Sequence, residues 1–156
     1  TSYLLGYSDA DIVVGKYNSK NKPVPCNSFN LEGPISHIYN PKFFDVDRDN
    51  FPEMLLRYNI TVADGFIQFL DIYKSNNNND FCNRSFLKQF SARNGFADFS
   101  GRIFSIGVQK RDDGEAWLGA SLHEITEIFF DGKNEKIISK ETKSNLFKGT
   151  DTSYWE

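Results

Sequence analysis

The sequence predicts an all-β domain: a small antiparallel β-sandwich or barrel, or a partial propeller-like unit, carrying one acidic loop. Three observations predict it. Apolar residues recur with a period of two rather than 3.6 along most of the chain. Turn signals fall roughly every 8–12 residues, the spacing of short strands in sandwiches and barrels. No stretch carries the apolar stripe of a convincing amphipathic helix.

The elements follow in order. Asp11-Ile12-Val13-Val14-Gly15-Lys16-Tyr17 is β-branched and bounded by turn residues, so it reads as a strand. Two strand-like runs, 53–62 and 65–73, flank an Asp64-Gly65 step. Both residues of that step tolerate positive φ, so 53–73 reads as two adjacent antiparallel strands. Residues 74–80 include four consecutive Asn and read as a polar loop. A short strand is predicted over 86–90. Residues 102–109 alternate polar and apolar, the pattern of a half-buried strand. Arg111-Asp112-Asp113-Gly114 is a turn, and 115–122 is its predicted returning strand. Residues 124–130 and 136–140 form a further hairpin about Asp131-Gly132-Lys133-Asn134. The remainder, 141–156, is polar with an aromatic end and reads as a tail. Most of Phe43, Phe44, Phe66, Phe69, Phe96, Phe99, Phe104, Phe129 and Phe130 fit core positions. Trp117 and the pair Tyr154-Trp155 read as packing residues, with partner anchors as the alternative.

A chain of 156 residues and 17.9 kDa suits one domain, 1–156. It is long enough to bury roughly two-thirds of its unfolded surface without a staple. Eighteen Lys and Arg against 21 Asp and Glu leave a formal charge of −3. That balance argues against nucleic acid, whose phosphates require clustered positive charge. No apolar run approaches the roughly 20 residues that span a bilayer. The chain opens on Thr1 rather than Met, which reads as a processed or excised chain. Cys26 and Cys82 both sit in polar, turn-rich stretches. Pairing them would close a long loop, stabilise by roughly 3–4 kcal/mol and imply an oxidising compartment; two unrelated thiols are the alternative. The triplets Asn59-Ile60-Thr61 and Asn83-Arg84-Ser85 match the glycosylation sequon, a frequent chance match in an Asn-rich chain.

The most informative segment is Phe43-Phe44-Asp45-Val46-Asp47-Arg48-Asp49-Asn50-Phe51-Pro52-Glu53. Counting from Asp45, carboxylates occupy positions 1, 3, 5 and 9. Alternating Asp residues in a tight loop repel one another, and a hard divalent cation relieves that repulsion by taking their oxygens as ligands. Ca²⁺ accepts six to eight oxygens in flexible geometry, whereas Mg²⁺ demands a stricter octahedron and holds its water. Asn50 stands where such loops usually place Gly, and Asn is the next best residue at positive φ. An EF-hand would need an acidic residue at position 12, where this chain has Leu56, and flanking helices.

The run from Asp45 through Glu53 into Met54-Leu55-Leu56 resembles the FG-GAP or VCBS repeat, whose pattern is D-x-D-x-D-G-x-x-D/E before an apolar strand. The likeness covers about residues 37–74, with 65–73 similar to the repeat's next strand. Asp9-Ala10-Asp11-Ile12-Val13-Val14-Gly15 resembles the end of a degenerate preceding repeat. The resemblance implies a β-hairpin unit with Ca²⁺ in the loop. It assigns Asp45, Asp47, Asp49 and Glu53 as side-chain ligands and the Phe51 carbonyl as a further one. Arg48 and Asn50 depart from the family pattern. The chain is too short for a seven-bladed propeller. A small sandwich or barrel with one such loop is similar in that respect to small bacterial periplasmic proteins, lysozyme-inhibitor-like ones among them.

Catalytic patterns are weak. Gly119-Ala120-Ser121-Leu122-His123 lacks the second Gly and the strand-turn-helix setting of a nucleophile elbow. His123-Glu124-Ile125-Thr126-Glu127 lacks the second His of a zinc signature. His37, His123 and the two cysteines have no paired short spacing for zinc. Asp112, Asp113 and Glu115 read as a solvated turn. The expectation is therefore a secreted or periplasmic, calcium-stabilised module that is not an enzyme and binds a protein or glycan. The alternatives are a small hydrolase using Asp112, Glu115, Ser121 or His123, and a structural repeat of a larger extracellular protein.

Overall fold

The computed structural model describes residues 3–7, 12–17, 20–29, 31, 33–63, 65–76, 81–110 and 122–144. Among the described residues there are twelve strands and no helix. They are β1 (Tyr3–Tyr7), β2 (Ile12–Tyr17), β3 (Pro23–Phe29), β4 (Ile35–Ile38), β5 (Lys42–Phe44) and β6 (Glu53–Val62), then β7 (Gly65–Ser75), β8 (Arg84–Arg93), β9 (Phe96–Ser100), β10 (Ile103–Lys110), β11 (Leu122–Phe130) and β12 (Glu135–Ser144).

All pairings are antiparallel. The first three strands form a small meander in the order β1-β2-β3. A second sheet runs β4-β6-β7-β8, with β5 also pairing with β6, and a third runs β12-β11-β10-β9. These two larger sheets face one another without closing into a barrel, giving the predicted β-sandwich. Pro23 and Pro25 are tolerated in β3 because it is an edge strand, where a missing amide donor costs no central ladder bond.

The predicted β6–β7 hairpin is present, with Met54 opposite Tyr73 and Val62 opposite Gly65. Gly65 adopts φ +146, and a Cβ there would collide with the side chain of Asn94. The Asn94 carboxamide oxygen accepts the Phe66 amide at 2.9 Å, which ties the hairpin to the β8–β9 turn.

Eight consecutive residues of β6, Glu53 to Ile60, are buried, so β6 does not alternate as a one-sided strand would. The reason is a core on each face. Toward the other sheet, Leu55, Leu70 and Ile72 pack with Phe90, Phe104 and Phe130. On the opposite face, Met54, Leu56, Tyr58, Phe69 and Tyr73 gather under Ile35 and Phe81. The Phe90 and Phe104 rings stack at 4.8 Å between centroids. Gln68, fully buried, accepts the Ala97 amide at 2.9 Å and donates to Asn59 at 2.9 Å, so one side chain bridges the two sheets. Asp71, on the opposite face of β7, is also buried and accepts the hydroxyl of Tyr58 at 3.0 Å and the Gln89 amide at 2.9 Å.

Several sequence expectations need correction. β8 extends well beyond 86–90, and β1, β3, β4, β5 and β9 were not predicted; four of these are only three to five residues long. The strand that returns against β10 is β11, at Leu122–Phe130. Residues 124–130 form the expected hairpin with β12 and also pair with β10, so they are a central strand. Residues 141–144 belong to β12 and not to a tail. The remaining tail residues, 145–156, lie outside the described residues, as does 115–121. β12 is exposed from Glu135 to Lys143 and rich in Lys and Glu, which blunts a sheet edge against further pairing. Phe43 is 46% exposed, against the core position expected for it, whereas Phe69, Phe96, Phe104 and Phe130 are buried.

Phe104 is fully buried in the inter-sheet aromatic cluster. Phe104→Ala is expected to cost about 3–5 kcal/mol, read from the urea midpoint at unchanged m-value.

Candidate metal centre

The acidic segment is the connection between β5 and β6, which pair with Phe44 opposite Glu53. Residue alternation decides its layout. Val46 points into the inter-sheet core at zero exposure, and this pins the loop from below. Asp45, Asp47 and Asp49, half-buried, lie around it. Their carboxylates shape the turn by accepting main-chain amides. Asp45 accepts Asp49 at 3.1 Å and Asn50 at 2.9 Å, and Asp49 accepts Phe51 at 2.8 Å. Arg48 and Asn50 take φ +63 and +71, so Asn50 does occupy the left-handed position that such loops usually give to Gly.

Glu53 closes the site. It has no solvent exposure. Its Oε2 accepts the Val46 amide at 2.5 Å and the Asp47 amide at 3.4 Å. Its Oε1 is buried and has no hydrogen-bond partner. Burial pushes the Glu53 carboxyl up to about 7, against the pull of the Val46 amide, and the neighbouring charge of Asp47 pushes the same way. One ligand oxygen from each of Asp45, Asp47, Asp49 and Glu53 lies within 4.8 Å of the others. Among the described residues this is the one group of His, Cys, Asp and Glu side chains that converges in this way, and it can hold a metal ion. An all-oxygen, carboxylate-rich set suits a hard cation.

Two cationic residues absent from the sequence-level assignment belong to the same place. Lys74, near the end of β7, hydrogen-bonds Asp47 and reaches Asp49 at 2.7 Å. These bonds, chiefly the one to Asp47, hold the Lys74 ammonium well above the ordinary lysine range. Lys74 in turn holds the Asp49 carboxyl below the usual carboxylate range. Hairpin register was the signal that could have found it: one step beyond the Met54–Tyr73 pair sets Lys74 opposite Glu53. Arg102, in the β9–β10 turn, donates to the carbonyls of Val46 at 2.7 Å and Asp45 at 2.8 Å. No local pattern marks it, because it is 56 residues from Val46 in sequence. The β11–β12 turn also leans on the loop. A Cβ at Gly132, where φ is +92, would come within 2.8 Å of the Asp47 Cβ. Phe51, whose carbonyl the family resemblance implies as a ligand, lies in this loop with its side chain 41% exposed.

The catalytic alternatives do not assemble among the described residues. His123 is buried at 4% exposure, with Nε2 3.3 Å from the Asn94 carbonyl. Glu124 is paired with Lys110 at 3.2 Å. His37 is exposed on β4, edge-on to Tyr39 at 4.5 Å. Asp112, Asp113, Glu115, Trp117 and Ser121 lie outside the described residues, as do Asp9, Asp11, Tyr154 and Trp155. The side chain of Cys26 also lies outside them, so its pairing with Cys82 remains an expectation; no cysteine among the described residues is free. Asn59 of the first sequon is buried, which closes it to a glycan in the folded chain, whereas Asn83 is exposed.

No protein-family model matches the chain, and neither a curated protein nor a solved structure does.

Lys74 is the built-in counter-charge of the acidic loop. Lys74→Met, unfolded by urea in a chelating buffer, is expected to lose about 1 kcal/mol. The loss should grow at low ionic strength, because the carboxylates it leaves behind repel one another under weaker screening.

Proposed function

We propose that this protein is an exported, calcium-stabilised β-sandwich that acts as a binding module for a protein or glycan. The observation that carries the calcium reading is the Glu53 Oε1 atom, buried without a hydrogen-bond donor where three further carboxylates converge. A fully buried carboxylate oxygen with no partner is costly, and a cation among the four carboxylates would remove that cost. Calcium is favoured over magnesium because the loop offers carboxylate oxygens in an irregular array and leaves room for backbone and water oxygens. The resemblance to the FG-GAP or VCBS loop supports the same assignment, with the Phe51 carbonyl as a further ligand.

The ion's role in this reading is structural. Arg102, Gly132 and Val46 join the loop to both sheets, so a cation bound there braces the sandwich at one end. A site saturated by loop oxygens leaves no open position for a reacting group. Export follows from the paired reading of Cys26 and Cys82 and from calcium's abundance outside cells. A narrower version, in which an exposed loop enters an enzyme cleft in the manner of lysozyme-inhibitor-like proteins, is tested by inhibition assays on a lysozyme panel; no inhibition removes it.

Calorimetric titration with Ca²⁺ is the direct test. Free calcium at 100 times Kd should stabilise by about 2.7 kcal/mol, raising the thermal midpoint by about 5–10 °C for a domain of this size. Asp47→Ala should abolish both the heat and the shift. Lys74→Met should bind calcium severalfold more tightly, because the ion no longer competes with an ammonium. Glu53→Gln should lose most of the calcium response while raising the midpoint in chelator, since it removes a buried charge. No heat and no shift with the unsubstituted protein would overturn the calcium reading.

A further inference from the structure

A crevice of about 320 Å³ opens between the two sheets, away from the acidic loop, where β5, β6 and β7 meet β9. Its floor is apolar, made by Leu55, Leu70 and Phe99. Its polar lining is Asn40, Lys42, Arg57 and Asp98.

Arg57 is the unusual member. Its side chain is only 8% exposed, and a buried guanidinium normally satisfies its donors. Here Nη1 is buried with no hydrogen-bond acceptor. The nearest carboxylate, Asp98, lies at 3.8 Å, an ion pair but not a hydrogen bond. The Asp98 Oδ1 atom already accepts the Phe99 amide at 2.8 Å. The guanidinium sits 4.3 Å from the centre of the Tyr39 ring, which fixes its plane beside the crevice. Lys42, on the rim, has no ion-pair partner among the described residues, and the Asn40 carboxamide has no hydrogen bond there.

Two cations against one carboxylate leave the crevice with a surplus positive charge in a chain whose formal charge is −3. Low-dielectric walls concentrate such a field. We propose that this crevice binds a carboxylate carried on a small apolar body. The carboxylate lies between Lys42 and Arg57, within reach of Asn40, and the apolar body covers Leu55, Leu70 and Phe99. A single negative charge fits better than two, because a dianion such as phosphate would meet Asp98. The volume is at the low end for small-molecule pockets, which limits the ligand to about ten non-hydrogen atoms. Two sources share this chemistry: a free aryl or alkyl acid, and the C-terminal carboxylate of a partner chain that ends in an apolar residue. The proposal stands independently of the calcium reading.

The test is a titration followed by amide chemical shifts, with 3-phenylpropionate as the free acid and N-acetyl-Gly-Gly-Phe as the chain terminus. At least one is expected to saturate with Kd about 1 mM or tighter, the affinity that ligands of this size reach, shifting the amides of Leu55, Arg57 and Phe99. Tighter binding of the peptide assigns the site to a partner's terminus, and tighter binding of the acid assigns it to a small metabolite. The neutral 3-phenylpropionamide should bind at least about tenfold more weakly than its acid. Lys42 is exposed, so Lys42→Ala will fold; it should weaken the acids about three- to tenfold. Asp98→Asn, also at an exposed side chain, should strengthen them. The proposal is overturned if neither acid saturates by about 10 mM, if the amide binds as well as the acid, or if Lys42→Ala and Asp98→Asn leave affinity unchanged.

Discussion

The register of β6 on β7 is the constraint on which the rest of the molecule depends. Side chains alternate along each strand, so one register assigns every residue of both strands to a face. Met54 opposite Tyr73 sends Met54, Leu56, Tyr58, Phe69 and Tyr73 to one core. It sends Leu55, Leu70 and Ile72 to the other. The same register brings Lys74 beside Glu53 and sets Arg57 across from Leu70. A slip of one residue would exchange the two cores and separate both charged constellations from their partners. Gly65, opposite Val62 and packed on Asn94, leaves no slack for such a slip.

With both faces of this hairpin covered, its polar residues are forced inside and must be paired there. Gln68 and Asn59 satisfy one another, and the Gln68 oxygen takes up the Ala97 amide from the facing sheet. Asp71 is met by tyrosine hydroxyls and the Gln89 amide. Against this background two groups stand out. The Oε1 of Glu53 and the Nη1 of Arg57 are buried without hydrogen-bond partners, the first at the acidic cluster that could hold a metal ion and the second at the crevice. They lie on the same face of β6, four residues apart, at the two ends of the Leu55 contact with the inter-sheet core. One is a carboxylate oxygen and the other a guanidinium nitrogen, so a single strand carries two buried ionisable groups of opposite sign.

The acidic loop illustrates how a locally encoded turn becomes part of a global structure. Its own carboxylates accept its own amides, which any isolated peptide of this sequence could do. What holds it against the sandwich comes from elsewhere: the Arg102 donors, the close approach of Gly132, and the burial of Val46 in a core built by both sheets. The conformation of the loop is therefore tied to the packing of one end of the sandwich.

The strand period, the Asp-Gly and Asp131–Asn134 turns and the alternating carboxylates were legible in the sequence by itself, because each depends only on residues a few positions apart. On that basis the all-β class, the β6–β7 hairpin and the cluster of Asp45, Asp47, Asp49 and Glu53 follow from the chain alone, as does the positive φ of Asn50. The short strands β4, β5 and β9 were not legible, since three to five residues carry too little pattern to count. The partner of β10 is Leu122–Phe130 rather than the expected 115–122, because alternation marks that a strand exists and not which strand it pairs with. Tertiary structure decided the rest. It buried β6 on both faces, delivered Arg102 to a loop 56 residues distant, and opened a crevice lined from β5, β6, β7 and β9. Those features depend on contacts between sheets, which no local spacing encodes. The physical reason is the same in each case: hydrogen-bonded turns and strand alternation are short-range, whereas burial and charge pairing are settled only when distant surfaces meet.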